Sequence, residues 1–294
     1  MIKFKPTNKT ALVTHRGCLD GTGSALMFIW AGGLRKNIFF RNPSQCFLTK
    51  QEAEQFDEVW FADMCPASLE NPAGGKHFHV FDHHLSNQKK FWDDPRCTFD
   101  MSKSGTSLMA HCLNVLEDGV RLYSYEQDLV HALESYDLGR FDCAAGVRLA
   151  DIASSFSQEE MLDLMLEREP EGILHDGDLT NLAKSAASTR NEYSERAAKF
   201  AYGFMFPDDG NIECGVAVSP VYWKNEVAQR ILKHYDLAMV IDPTAQMVSL
   251  RSKEGGPDCS IIAARYGGGG HARAAGFKAN GPYMLSALVE AVIG

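Results

Sequence analysis

The residues of this chain that can do chemistry fall into four short clusters. His15, Cys18 and Asp20 lie within "VTHRGCLDGTGSA" (13–25), and Asp63 follows "EVWFA" (58–62). Asp82-His83-His84 follow "HFHVF" (77–81), and Asp137 follows "EQDLVHALESY" (126–136). One such residue at the end of a strand is ordinarily a cap or a turn residue, and an Asp-His-His triplet alone is weak. Their joint placement at successive element ends carries the reading. Brought together, so many acidic groups repel one another strongly unless cations sit between them. Carboxylates with imidazoles suit Mn²⁺, Mg²⁺, Co²⁺ or Zn²⁺. A shared carboxylate would hold two ions roughly 3.5–4 Å apart, an arrangement used for phosphoryl hydrolysis.

These side chains meet only if the elements bring them together. The apolar runs at 11–13, 37–40, 58–62 and 77–81 read as strands of a mainly parallel sheet covered on both faces. In such a sheet the carboxyl ends of neighbouring strands open into one crevice. The first strand is expected to pass through a tight turn holding Gly21 and Gly23 into a buried helix at 24–30. Apolar periodicity predicts helices over 105–117 and 126–136, and Ser157 with Glu160 forms a capping-box pattern that opens another. An Ala-rich helix over 181–203 is expected to lead to a break at "FPDDGN" (206–211). The pattern then restarts, with strands at 212–219, 237–242 and 246–252 and helices at 225–235 and about 258–266. The second half has its own logic. Glycines 267–270 let backbone N–H groups approach an anion, His271 and Arg273 follow, and Arg251 lies on the preceding strand. Tyr222, Trp223 and Tyr266 are aromatic candidates for base stacking that read better as core or interface residues.

Bulk properties narrow the function. The 294 residues, 45% hydrophobic and 23% charged, suffice for a large core split into two domains. A formal net charge of −9 is the wrong sign for tracking long duplex nucleic acid. It fits a small nucleotide or a short single-stranded oligonucleotide, with bound metal supplying positive charge. Eight scattered cysteines without a C-x-x-C read as reduced thiols of a cytoplasmic protein. The amino terminus lacks a signal-peptide core, and no stretch approaches a membrane span, so no membrane partner is expected. The Gly23-Ser24 helix start lacks G-x-G-x-x-G and the P-loop lysine, which argues against a nucleotide-phosphate loop.

In order, "HRGCLDGTGS", "FADMCP", "FDHHLSN" and "SYDLG" resemble the motifs of the DHH phosphoesterase family. "MVSLRS" with "DCSIIAARYGGGGHARAAGF" resembles the DHH-associated substrate domain of that family. The resemblance covers nearly the whole chain. It implies a two-domain α/β fold with the active site in the cleft between domains. The larger amino-terminal part (1–185) is a mainly parallel sheet with flanking helices that carries the metals. A linker helix (186–208) and a smaller α/β substrate-binding domain (209–294) follow. It implies two divalent ions, Mn²⁺ foremost, with Mg²⁺ or Co²⁺ as alternatives. His15, Asp63 and Asp137 resemble ligands of one ion, and Asp20, Asp63 and His83 those of the other, with Asp63 bridging. Asp82 is expected to orient a neighbouring histidine or hold the loop, and His84 to contact the scissile phosphate. Arg251, Gly268, Gly269, Gly270, His271 and Arg273 resemble the family's substrate grip. Cys18 stands where relatives often carry Asp, although a subset shows Cys-x-Asp-Gly. The expectation is that its thiol points into the turn. The implied reaction is phosphodiester hydrolysis in short oligonucleotides or small nucleotides. A nucleotide bisphosphate phosphatase, a polyphosphate hydrolase and a nucleotide-binding module with a decayed metal site are the alternatives. A homodimer is compatible with the reading.

Overall fold

A computed structural model describes residues 4–115, 124–140, 142–206, 212–219 and 223–279. The chain divides into two compact units, 1–186 and 187–294. In the first, strands β1 (Thr10–His15), β2 (Ile38–Arg41), β3 (Glu58–Ala62), β4 (His77–Asp82) and β5 (Cys97–Phe99) form one sheet in the order β2-β1-β3-β4-β5. Every pairing in it is parallel. Alternate residues leave opposite faces of a strand, and both faces are covered. Leu12, Trp60 and Phe81 join one buried cluster, whereas Ala11, Val13, Val59, Phe61 and Val80 join the other. This is the two-sided burial that the near-continuous apolar runs predict.

The order reverses between β1 and β3. Open α/β sheets place their ligands at such a switch point, beyond the carboxyl ends of the strands. Register does the rest. Thr14 pairs with Ala62 and Ala62 with Phe81, so His15, Asp63 and Asp82 emerge side by side at one end of the sheet. The unit also holds helices α1 (Leu19–Trp30), α2 (Lys50–Ala53), α3 (Leu85–Phe91), α4 (Gly105–Cys112), α5 (Ser124–Asp137), α6 (Ala144–Ala153) and α7 (Gln158–His175), and α8 (Gly177–Lys199) begins in it and ends in the second unit. The Ser157–Glu160 capping box that starts α7 is formed in both directions.

The structure shifts several expected boundaries. Helix α1 begins at Leu19, so Asp20 sits in its first turn, and Gly21 and Gly23 are helical rather than turn residues. The turn is made by Arg16 and Gly17, the latter at φ +70°. Gly21 is required by close approach instead, because a Cβ there would strike the His15 carbonyl oxygen. Helix α4 ends at Cys112, and the expected remainder at 116 and 117 lies outside the described residues. Asp137 is the last residue of α5, not a residue beyond it. Helix α8 stops at Lys199, and a strand β6 (Tyr202–Phe206) takes over where helix was expected to 203. The expected break lies largely outside the described residues.

The second unit is built on a six-stranded sheet: β6, β7 (Ile212–Val218), β8 (Leu237–Asp242), β9 (Met247–Ser252), β10 (Gly269–His271) and β11 (Ala274–Lys278). Their order is β10-β11-β9-β8-β7-β6, and only β7 and β8 are parallel among the described pairings. Helices α9 (Lys224–Ile231) and α10 (Cys259–Arg265) complete it. Ala238 and Val240 pack with Val227 and Ile231 on one face, while Met239, Ile241 and Leu250 pack with Ile262 and Phe277 on the other.

Candidate metal centre

The sheet, α1 and α5 bring five of the expected residues into one cluster. His83 Nε2 lies 3.2 Å from Asp63 Oδ1, 3.5 Å from Asp137 Oδ2 and 3.9 Å from Asp20 Oδ2. On the other side of Asp63, His15 Nδ1 lies 3.5 Å from Oδ2. The two oxygens of Asp63 therefore look to different histidines. Asp63 itself is at φ +57°, a strained setting for a residue with a side chain. It is held by its N–H, which donates to the Phe81 carbonyl at 3.0 Å.

Two further ligand groups stand out around Asp63. His15, Cys18 and Asp63 present atoms within 4.8 Å of one another, as do Asp20, His83 and Asp137. Asp63, His83 and His84 form a third such group. The motif resemblance sets Asp137 with His15; in the structure Asp137 also stands beside His83 and Asp20. Helix α5, which ends at Asp137, packs on α1 and α4. Cys18 is not turned away into the loop, since its Sγ belongs to the His15 group.

Electrostatics set the cluster apart from an ordinary ion-pair network. Burial raises Asp20 well above the usual carboxylate value, and Asp137 and Asp63 add to it. Asp137 is raised by burial and by Asp63 against the pull of His83. Burial acts the same way on Asp63, yet the neighbouring imidazoles of His15 and His83 bring it well below its ordinary value. Burial disfavours the His83 cation, but the Asp63 hydrogen bond and the three carboxylates push its pKa up to about 10. The Cys18 thiol is pushed well up by burial and by Asp63, Asp137 and Asp20. Asp63 Oδ2 and Asp137 Oδ2 are buried and accept no hydrogen bond among the described residues. Buried carboxylate oxygens without donors, facing imidazoles and a thiol, fit divalent cations.

The supporting contacts include several that sequence patterns do not advertise. Both oxygens of Asp20 accept backbone N–H groups at the start of α4, from Gly105 at 2.6 Å and Thr106 at 2.9 Å. Gly105 has to be glycine, because a Cβ would lie 2.6 Å from Asp63 Cβ and 2.8 Å from Asp20 Oδ2. The local signal is the small polar run "SGTS" at 104–107, with Ser104 capping the helix. Gln158, at the start of α7, ties down the first loop. Its Nε2 donates to the carbonyls of His15 (2.8 Å) and Cys18 (3.0 Å), and its Oε1 accepts from Gly17 N–H (2.8 Å). No local pattern marks it, since its partners lie some 140 positions earlier.

No protein-family model matches the chain. It is similar to oligoribonuclease NrnB of Bacillus subtilis strain 168, 27% identical over 286 residues that cover 88% of this chain and 70% of that protein. Among solved structures, RecJ from Thermus thermophilus in complex with Mn²⁺ matches 97% of this chain and 52% of its own, at TM-score 0.60 and 17% identity. A pGpG-specific phosphodiesterase, PggH of Vibrio cholerae, matches 96% of this chain and 97% of its own, at TM-score 0.53 and 11% identity. The two structures share its fold, and the oligoribonuclease is similar in sequence over most of its length. The likeness to these proteins agrees with the DHH phosphoesterase motifs that the sequence resembles.

The DHH triplet is Asp82-His83-His84, at the end of β4. Asp82 is fully buried. Its Oδ1 accepts the His83 N–H at 2.9 Å and lies 2.7 Å from His84 Nδ1, and its Oδ2 accepts from Asn87 Nδ2 at 2.6 Å. Burial works to raise Asp82, but the charge and hydrogen bond of His84, with His83 and Asn87, hold it below the usual carboxylate value. Asp82 thus fixes the loop and the His84 imidazole while its own oxygens stay outside the ligand groups. His84 stands half-buried at the start of α3. The glycine run leaves a turn at Gly267 and enters edge strand β10 at Gly269. His271 pairs with Ala274 and Ala274 with Arg251, so His271 and Arg251 share one face across a small residue. Arg251 also donates to Asn225 Oδ1 (2.7 Å) and the Leu250 carbonyl (2.8 Å), and Arg273 is exposed. Trp223 lies tilted against Tyr193 and Tyr266 stacks on Phe277, whereas Tyr222 lies outside the described residues.

Proposed function

We propose that this chain hydrolyses phosphodiester bonds of short oligonucleotides or small nucleotides with two divalent ions, Mn²⁺ foremost. The observation that carries the reading is the meeting of His83 Nε2 with carboxylates from three distant segments, Asp20, Asp63 and Asp137, within 3.9 Å. Asp63 stands between the two ligand groups and offers one oxygen to each. His15, Asp20, Asp63, His83 and Asp137 would hold the ions. When bound, such ions activate water and neutralise charge on a transferring phosphoryl group.

The chain's own groups supply the rest. Asp82 keeps the His84 imidazole oriented and favours its charged form against burial, so that it can donate to an oxygen of the scissile phosphate. Gly105 and Thr106 hold Asp20 in place with their N–H groups. In the second unit, the register leaves His271 and Arg251 about 9–10 Å apart, two strand spacings. That span, with Gly268, Gly269, Gly270 and Arg273 at the same sheet edge, suits the grip of a second phosphate.

The similar protein named oligoribonuclease supports an oligonucleotide substrate. The net charge of −9 supports a short one. The test is a Mn²⁺-supplemented panel of diribonucleotides, longer oligonucleotides, cyclic dinucleotides, nucleotide bisphosphates and polyphosphate. Highest turnover on di- to tetranucleotides is expected. Preference for a bisphosphate or for polyphosphate would overturn the substrate assignment.

A further inference from the structure

The two ligand groups differ in chemical hardness. Asp20, His83 and Asp137 offer oxygens and one imidazole. The other group replaces a carboxylate by a sulfur: His15 and Asp63 are joined by Cys18 Sγ, all within 4.8 Å. The sulfur is not an incidental neighbour. Gln158 fixes the backbone of both His15 and Cys18 through their carbonyls, so the two donors are presented together. Into the same group points Asp63 Oδ2, a buried oxygen that accepts no hydrogen bond among the described residues.

We propose that Cys18 is a metal ligand, and that the ion held by His15, Cys18 and Asp63 belongs to the borderline-soft class of Zn²⁺, Co²⁺ or Fe²⁺, while the Asp20–His83–Asp137 side keeps a hard ion such as Mn²⁺ or Mg²⁺. The inference rests on the two-ion reading above and deepens it: the centre takes two different metals. Thiolate favours the softer ions, and carboxylate the harder ones. Binding replaces the S–H bond by a metal–sulfur bond and releases the proton to solvent.

The test is optical and needs no turnover. Purified apo-protein is titrated with Co²⁺, and the near-ultraviolet thiolate-to-cobalt charge-transfer band is followed. One thiolate per chain is expected to ligate at one of two equivalents, and the band is expected to vanish in Cys18→Ser and Cys18→Asp of unchanged circular dichroism. Loss of a group that merely orients a ligand costs about 10–100-fold in affinity. Loss of the thiolate itself is therefore expected to weaken Zn²⁺ at that equivalent by roughly 100-fold or more, and Cys18→Asp to shift the preference towards Mn²⁺. A second measurement needs no variant: Zn²⁺ is expected to protect Cys18 from alkylation by iodoacetamide, read by peptide mass. Cobalt binding without a thiolate band, a band that survives in Cys18→Ser, or alkylation of Cys18 unaffected by saturating Zn²⁺ would each overturn the assignment and leave the two-ion reading standing. Failure of the wild-type chain to bind any Co²⁺, Zn²⁺ or Mn²⁺ would overturn both.

Discussion

Asp63 shows how much one residue is asked to do. It adopts a left-handed backbone, is buried, and divides its two oxygens between His15 and His83. Such strain persists only where the surroundings over-determine it. Part of that determination is Gly105, whose missing side chain lets the start of α4 touch both Asp63 and Asp20. Gly105→Ala is therefore expected to push Asp20 out of place while the hydrophobic core survives. Misplacement by about 1 Å costs on the order of 10²-fold in turnover. A loss of that size in kcat, with an unchanged melting profile, is the predicted result, and near-normal kcat would contradict it. The types and order of the site residues were legible in the sequence because metal-ligating chemistry admits few residue types. Gly105 and Gln158 were not, since each acts by packing or hydrogen bonding to partners remote in the chain. The side chosen by Cys18 was not legible either, because the first turn of α1 begins earlier than the glycines suggest.

At the scale of elements, β4 carries a half-buried histidine outside the cluster. His79 packs between Phe4 (4.4 Å) and Phe81 (4.7 Å), with Nε2 3.0 Å from Thr98 Oγ1 on β5. Burial lowers its pKa to about 4, against a weaker opposing pull from Asp94. In the unfolded chain an imidazole titrates near about 6.5. Between these values the unfolded state binds more protons, so stability falls as pH drops from about 6.5 to about 4 and is retained in full above 6.5. Urea unfolding in the presence of a chelator is predicted to show this decline in the wild type and a flatter profile in His79→Gln. Equal slopes would remove His79 as the cause. Strands β1, β3 and β4 and strands β8 and β9 were legible as apolar runs. Strand β5 has three residues, too few for a periodic signal, and β6 hides behind an Ala-rich stretch that reads as helix. Strand β10 is made of glycines and one histidine, with no side-chain pattern to read.

For the whole molecule, the proposed function predicts that the balance of charge limits the substrate range. With 29 basic against 38 acidic residues, phosphates beyond the site meet a field of the wrong sign. The specificity constant is predicted to fall from di- to penta- to decanucleotides at low salt, and the fall to shrink at high salt as the repulsion is screened. Processive degradation of long single strands at low salt would contradict this. The two-unit α/β organisation was legible because composition and pattern restart after residue 206, whereas sheet order and register come from pairings between segments far apart in the chain. The central claim is that the cluster around Asp63 is a divalent-metal centre for phosphodiester hydrolysis. Its most direct test is hydrolysis of a diribonucleotide by wild type and Asp63→Asn, with and without Mn²⁺, since asparagine tolerates the left-handed backbone and keeps the shape of aspartate. The predicted result is wild-type turnover that requires the metal and is lost in Asp63→Asn of unchanged circular dichroism. Turnover in a chelator, or turnover that survives the substitution, would contradict it.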